Sequence, residues 1–299
     1  MAARSFGAAD PFSEKEEALS SFSLPMDVLS KYLEFIEAAL SEVRRTTLRA
    51  SMRNDRSKVV GRAYYGDESV LMDVMADETV RVVVDRFFDD YTYISEESGI
   101  IEKGKGVPYI LIDPLDGSTN AKRGLSHFCT AIAIAEGPKF EDIIASGIIE
   151  HRIGERVWGL KGIVYDGWRR ARPSNRTDLE NSMIFVDSKF RSNPENPEGY
   201  LAVFRSTKYP RMVGAAAWEI ALVASGRAEA VVAYPGSLRT FDCFPSLFLL
   251  KEAGGKALYI GERPPDLLSK ERIRFIAAGN EELVKKLKNV LKVEGLPFF

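Results

Sequence analysis

A strand-like apolar run, Tyr109-Ile110-Leu111-Ile112, ends directly in Asp113-Pro114-Leu115-Asp116-Gly117-Ser118-Thr119-Asn120. That junction limits what the chain can fold into. Side chains at the end of a strand are aimed into a cleft from a rigid frame, and carboxylates forced together repel unless a cation neutralises them. The glycine lets backbone come close, and small hydroxyl residues opening a helical turn leave N–H groups pointing outward, as a phosphate requires. A hard-cation site beside a helix start reads as a phosphoryl-transfer centre. The plainer reading, acids as helix caps and surface turns, suits single acids better than this pair within eight residues.

Two further acidic positions belong to the same argument. Glu96-Glu97 follows the strand-like Tyr91–Ile94, and Asp242 lies just ahead of an expected helix in Thr240-Phe241-Asp242-Cys243-Phe244-Pro245. No soft ligand accompanies them. Cys129 and Cys243 stand in unrelated contexts, and His127 and His151 share no metal-ligand spacing. A disulfide framework and a zinc site are therefore not expected. There is no Gly-x-x-x-x-Gly-Lys-Ser/Thr loop, and Asp113–Asn120 lacks the spacing and terminal Glu of a calcium-binding EF-hand. His127 reads as structural, and His151 has no evident role.

Apolar residues at helical spacing predict amphipathic helices over Met26–Leu48 and about Ser69–Phe88. Antiparallel β-rich runs follow from Cys129 to Tyr165, punctuated by Gly and Pro turns. Helix and strand then alternate, with helices expected at Ala215–Ala224, Pro245–Glu252 and Glu281–Val293 and strands at Tyr209–Val213 and Ala228–Ala233. The natural division is an α+β half over residues 1–175, carrying most of the acids, and an α/β half over 176–299. Residues 1–25 and the loop around Asn193-Pro194 and Asn196-Pro197 read as loose connections. The basic stretch from Arg44 to Arg62 is either a solvated helix end and loop or a device that draws in an anionic substrate.

The 299 residues carry a net charge of −2, so no nucleic-acid partner is expected, and no apolar run is long enough to span a bilayer. A cytoplasmic protein is the expectation. Glutamine is absent altogether, a weak sign of thermophilic origin.

The octapeptide resembles the Asp-Pro-Ile/Leu-Asp-Gly-Thr/Ser-Thr-Asn signature of the inositol monophosphatase superfamily. Ser95-Glu96-Glu97-Ser98 is similar to that family's Gly-Glu-Glu-Ser. Met212-Val213-Gly214-Ala215-Ala216-Ala217 resembles its glycine-led helix, and Phe241-Asp242 through Lys251-Glu252-Ala253-Gly254-Gly255 its last metal-binding segment. The likeness covers roughly residues 26–290 and favours the archaeal branch of inositol-1-monophosphatase / fructose-1,6-bisphosphatase enzymes. It implies a layered αβαβα sandwich, usually dimeric, that requires magnesium, with manganese as a substitute.

Residue by residue, the resemblance implies that Glu96, Asp113 and the Leu115 carbonyl hold the metal that activates water. Asp113, Asp116 and Asp242 would hold a second metal facing the leaving group. Asp73 would hydrogen-bond Ser118 to orient the water. Gly117, Ser118 and Thr119 would offer N–H groups to the phosphate, with Gly214 and Ala215 completing the substrate site. The family's inositol-binding Glu aligns with Ala233, and bulkier Cys243-Phe244-Pro245 replaces its small residues after the last acid. Arg211 and Arg239 either reach a second phosphate or form structural ion pairs. The function expected is hydrolysis of inositol-1-phosphate or fructose 1,6-bisphosphate. The alternatives are a 3′-phosphoadenosine 5′-phosphate phosphatase and a non-catalytic ligand-binding descendant.

Overall fold

The computed structural model describes residues 24–66, 68–187 and 196–299. Most of the expected N-terminal lead-in and the Asn193-Pro194 loop fall outside them. Helix α1 (Met26–Ser51) buries Leu29, Tyr32, Ile36, Leu40 and Val43, spaced three and four apart on one stripe. A hairpin of β1 (Val59–Arg62) and β2 (Glu68–Val70) leads into α2 (Leu71–Phe87). The basic stretch is thus divided among the end of α1, the turn after it and this hairpin.

Both helices lie on one face of an eight-stranded sheet. Its strands are β3 (Tyr91–Ser95), β4 (Gly99–Lys103), β5 (Tyr109–Asp116), β6 (Cys129–Ala135), β7 (Ile143–Glu150), β8 (Arg156–Leu160), β9 (Ile163–Asp166) and β10 (Arg169–Arg170). Their order is β10-β9-β8-β7-β6-β5-β3-β4, and all neighbours are antiparallel except β3 and β5. Helix α3 (Ser118–Arg123) follows β5 directly.

The second sheet has six strands in the order β12-β11-β13-β15-β14-β16. They are β11 (Met183–Val186), β12 (Tyr209–Arg211), β13 (Ala230–Leu238), β14 (Lys256–Tyr259), β15 (Ile273–Ala278) and β16 (Leu296–Pro297). Helices α5 (Ala216–Ala224) and α6 (Thr240–Ala253) fill the space between the two sheets, in a core that takes Leu111, Ala131 and Ile148 from one sheet and Val231, Phe275 and Ala257 from the other. Helices α4 (Pro197–Ser206) and α7 (Glu281–Leu291) cover the outer face of the six-stranded sheet. The layers therefore run αβαβα, as the resemblance implies.

Two boundaries differ from the sequence reading in ways that matter. Helix α6 begins at Thr240, not Pro245, so Asp242 sits inside its first turn. Strand β13 runs on to Leu238 through an irregularity in which Ala233 pairs with Phe275 and Leu238 with Ile273. Between these two pairs β13 carries three more residues than β15. Among the described residues, no helix is long and apolar enough to cross a membrane.

Candidate active site

Asp113 and Asp116 are three apart, so in a regular strand they would face opposite ways. A bulge changes this. Asp113 pairs with Ala131 and Asp116 with Cys129, leaving Pro114 and Leu115 opposite Thr130 alone. Ala131 and Cys129 share a face, and so do the acids opposite them. Proline has no N–H to contribute to a ladder, which suits it to this position.

Glu96 enters from the turn after β3. That turn is anchored by Asp77 on α2, whose carboxylate accepts the hydroxyls of Tyr93 (2.8 Å), Ser95 (2.6 Å) and Ser98. Asp242 enters from the first turn of α6, where its Oδ2 accepts the Arg239 N–H at 2.6 Å. Glu96, Asp113 and Asp242 each bring a carboxylate oxygen within 4.8 Å of the others. Asp116 borders the same cleft but lies outside that trio. Its Oδ2 accepts the Ala217 N–H at 2.7 Å and faces the Cys129 thiol at 3.5 Å.

The electrostatics demand a counter-charge. Burial, and then the charges of Glu96, Asp116 and Asp242, push the Asp113 carboxyl well above the usual range. Burial and Asp242 raise Asp116 to about 7. A set of oxygen donors with no soft ligand, in which burial and neighbouring charge penalise the anions of Asp113 and Asp116, fits a hard divalent cation.

The cleft holds about 180 Å3 and is lined by Leu115, Gly117, Ser118 and Thr119 beside the acids. A larger groove, about 920 Å3, lies between α1 and the β8–β9 end of the sheet and contains none of these acids. Gly117 adopts φ 79°, and a Cβ on it would come within 2.8 Å of the His127 carbonyl and 3.1 Å of Ala215 Cβ. The Gly214-Ala215 turn is therefore pressed against the start of α3. Asn120 holds the two together, its Nδ2 donating to His127 O and Val213 O, both at 2.9 Å. The N–H groups of Asn120 and Ala121 bond to Gly117 O, whereas the first N–H groups of a helix have no partner within it.

Several of the expected contacts are not formed among the described residues. Asp73 makes no bond to Ser118: its Oδ2 accepts the Val70 N–H at 3.1 Å, and its Oδ1 is buried without a partner among the described residues. Burial raises this carboxyl to about 6. Arg239 does not line the cleft. Its guanidinium stacks 4.7 Å from the Tyr65 ring centroid and donates to Tyr65 O, clasping the β1–β2 hairpin to the start of α6. Arg211 is exposed and donates to Pro210 O, and neither arginine lines the cleft. Ala233 is fully buried in the core between the sheets.

Instead, Asp187, Glu219, Ser237 and Leu238 line the side of the cleft built from residues 176–299. Ser237 donates its hydroxyl to Asp187. Glu219 is buried, and its Oε1 accepts the Val213 and Gly214 N–H groups at 3.0 Å each. Burial raises it to about 8. Of these, only Glu219 left a trace in the sequence, as an acid inside an otherwise apolar helix; Asp187 and Ser237 left none. The anchoring acid Asp77 was visible as a residue one turn after Asp73.

The chain matches known proteins along most of its length. It is 25% identical to the fructose-1,6-bisphosphatase/inositol-1-monophosphatase of Methanothermobacter thermautotrophicus, over 89% of this chain and 96% of that one. It is 32% identical to the Nus factor SuhB of Pseudomonas aeruginosa, over 62% of this chain and 69% of that one. Among solved structures, the extragenic suppressor protein suhB of Bartonella henselae superposes with a TM-score of 0.76 at 25% identity, covering 87% of this chain and 98% of the other. An inositol monophosphatase from Anabaena shares the fold at a TM-score of 0.72 and 22% identity, covering 90% and 98%. With residues 29–292 matching that family as a whole, the chain belongs to the inositol monophosphatase family.

Proposed function

We propose that the protein is a magnesium-dependent phosphatase that hydrolyses the phosphate monoester of a hydroxyl-rich small molecule. The observation that carries this reading is the bulge that turns Asp113 and Asp116 to one face, beside Glu96 and Asp242. A divalent cation bound there would polarise the phosphoryl oxygens and supply an activated water. Glu96, Asp113 and Asp242, with Asp116 and the Leu115 carbonyl, are the residues that would hold it.

The chain's own groups account for the rest. Gly117, Ser118 and Thr119 present the start of α3 to the phosphate, with Gly214 and Ala215 closing the turn from the other side. The unpartnered Oδ1 of Asp73 is a buried acceptor that the Ser118 hydroxyl would meet in a substrate complex. Asp187, Glu219 and Ser237 offer acceptors to substrate hydroxyls. No lysine or arginine lines the cleft among the described residues. That favours an inositol-1-phosphate-like monoester over fructose 1,6-bisphosphate, whose second phosphate calls for charged donors.

A phosphate-release assay over inositol-1-phosphate, fructose 1,6-bisphosphate and 3′-phosphoadenosine 5′-phosphate, with and without magnesium, tests the proposal. Release from inositol-1-phosphate that stops in excess chelator supports it. Release that continues under chelation overturns the metal, and a higher kcat/KM for either bisphosphate overturns the substrate assignment.

A further inference from the structure

Thr130 is the lone residue of β6 opposite the Pro114-Leu115 bulge, and it is fully buried. Its hydroxyl donates to the Pro114 carbonyl at 2.7 Å. The same oxygen lies 3.0 Å from His151 Nε2. A hydroxyl has one proton. Given to Pro114, it leaves Thr130 Oγ1 as an acceptor, so His151 carries its proton on Nε2. This is the one assignment that satisfies the carbonyl, the hydroxyl and Nε2 together.

His151 is built to stay in that form. Its ring stacks on Phe128 with centroids 5.4 Å apart and planes 30° apart. Its backbone N–H bonds to Phe128 O, and its carbonyl accepts Arg44 Nε at 2.9 Å. Nδ1 is buried without a partner among the described residues, so a second proton there has no acceptor. Burial accordingly holds the imidazole neutral, lowering it to about 3.

We infer that Thr130 and His151 are positioning residues for the metal site: they hold the bulge that places Asp113 and Asp116 on one face. This rests on the proposed metal-dependent reading of the cleft. Without the Thr130 hydroxyl, the Pro114 carbonyl loses its side-chain donor, and the bulge is free to relax toward regular pairing. Regular pairing would turn one of the two acids out of the cleft. His151 acts through Thr130, by directing the hydroxyl proton toward Pro114. Partners behind metal ligands typically contribute about 10–100-fold to metal affinity.

The test is calorimetric titration of the metal-free full-length protein with Mg2+, alongside its melting temperature. Thr130→Val should weaken Mg2+ binding at least about tenfold, and Thr130→Ser, which keeps the hydroxyl, should stay within about threefold of wild type. His151→Phe should fall between them, and adding it to Thr130→Val should cause no further loss, because the two act in series. A purely structural role would lower the melting temperature of Thr130→Val while leaving its Mg2+ affinity, read well below that temperature, unchanged. That result overturns the inference. If Thr130→Val does not fold, His151→Phe decides: wild-type affinity overturns the inference, and a loss of about threefold or more supports it. Wild-type protein that binds neither Mg2+ nor Mn2+ would overturn the metal reading itself, and this inference with it.

Discussion

Asp116 Oδ2 accepts the Ala217 N–H at 2.7 Å, so the last residue of β5 is held by the first turn of α5, a hundred residues further along the chain. The Trp218 N–H beside it also favours the charged form of this carboxylate, so the start of α5 offers Asp116 a pair of donors. Asp116→Asn keeps an acceptor for Ala217 but removes the charge. It should lower kcat by about a hundredfold or more, since metal polarisation is worth several kcal/mol and each 1.4 kcal/mol is tenfold. The metal-free variant should melt higher than wild type, because a buried charge among other acids has been removed. Phosphate release and melting curves of the same preparation check both halves.

The metal-free protein should lose stability as pH rises from about 6.5 to about 8 and level off above that. Burial raises Asp116 and Glu97 to about 7 and Glu219 to about 8, whereas in the unfolded chain such groups titrate near 4. The fold therefore holds protons that the unfolded chain has released. Stability falls from about pH 4 upward, until pH has passed the folded-state values, and levels off beyond them. His151 acts in the opposite sense, but only below about 6.5, where the unfolded imidazole gains a proton. Saturating magnesium should flatten the decline. Melting temperatures at pH 6.5, 7.5 and 8.5, with and without the ion, provide the measurement, and an identical slope in both would count against a cation among these acids.

Tyr65→Leu should release the β1–β2 hairpin. The substitution keeps apolar bulk but removes the ring face over which the Arg239 guanidinium sits at 4.7 Å. A buried cation–π contact is worth about 1–2 kcal/mol. Amide exchange over residues 59–66 should speed up by about 5–30-fold, with exchange in β5 and β6 unchanged.

Asp187→Asn and Ser237→Ala should raise KM for inositol-1-phosphate by about tenfold, the cost of a hydrogen bond to a charged group. Hydrolysis of p-nitrophenyl phosphate, which has no hydroxyls to recognise, should be unaffected. Equal losses on the two substrates would mean that these side chains serve the chemistry or the fold rather than recognition.

What could be read from the chain follows from where information is local. Asp113 to Asn120 is one continuous segment, so its acids, its glycine and its helix start were legible together. Glu96 was legible because the acids directly follow a strand. The stripe of α1 was legible from periodicity, and the expected layers followed from the family resemblance carried by the motifs. Arg239 and Ala233 misled for a single reason: neither burial nor the path of β13 is written in nearest neighbours. Pro245 marked the start of α6 too late, since it stands inside the helix, whereas Asp242 and the Arg239 N–H define the cap. Asp187, Glu219 and Ser237 meet the N-terminal acids only across a layer boundary, and no spacing along the chain encodes that meeting.

The division of the cleft between the two sheets also bears on how the protein is made. Every residue of the eight-stranded sheet leaves the ribosome before Ala217 and Asp242 exist. At that moment Asp113 and Asp116 belong to a sheet with one face bare, lacking both the N–H that ties Asp116 and the carboxylate that completes the trio. The nascent first half is therefore an exposed anionic surface rather than a binding site. The acidic trio is complete only once α6 has packed against that sheet and brought Asp242 to Glu96 and Asp113.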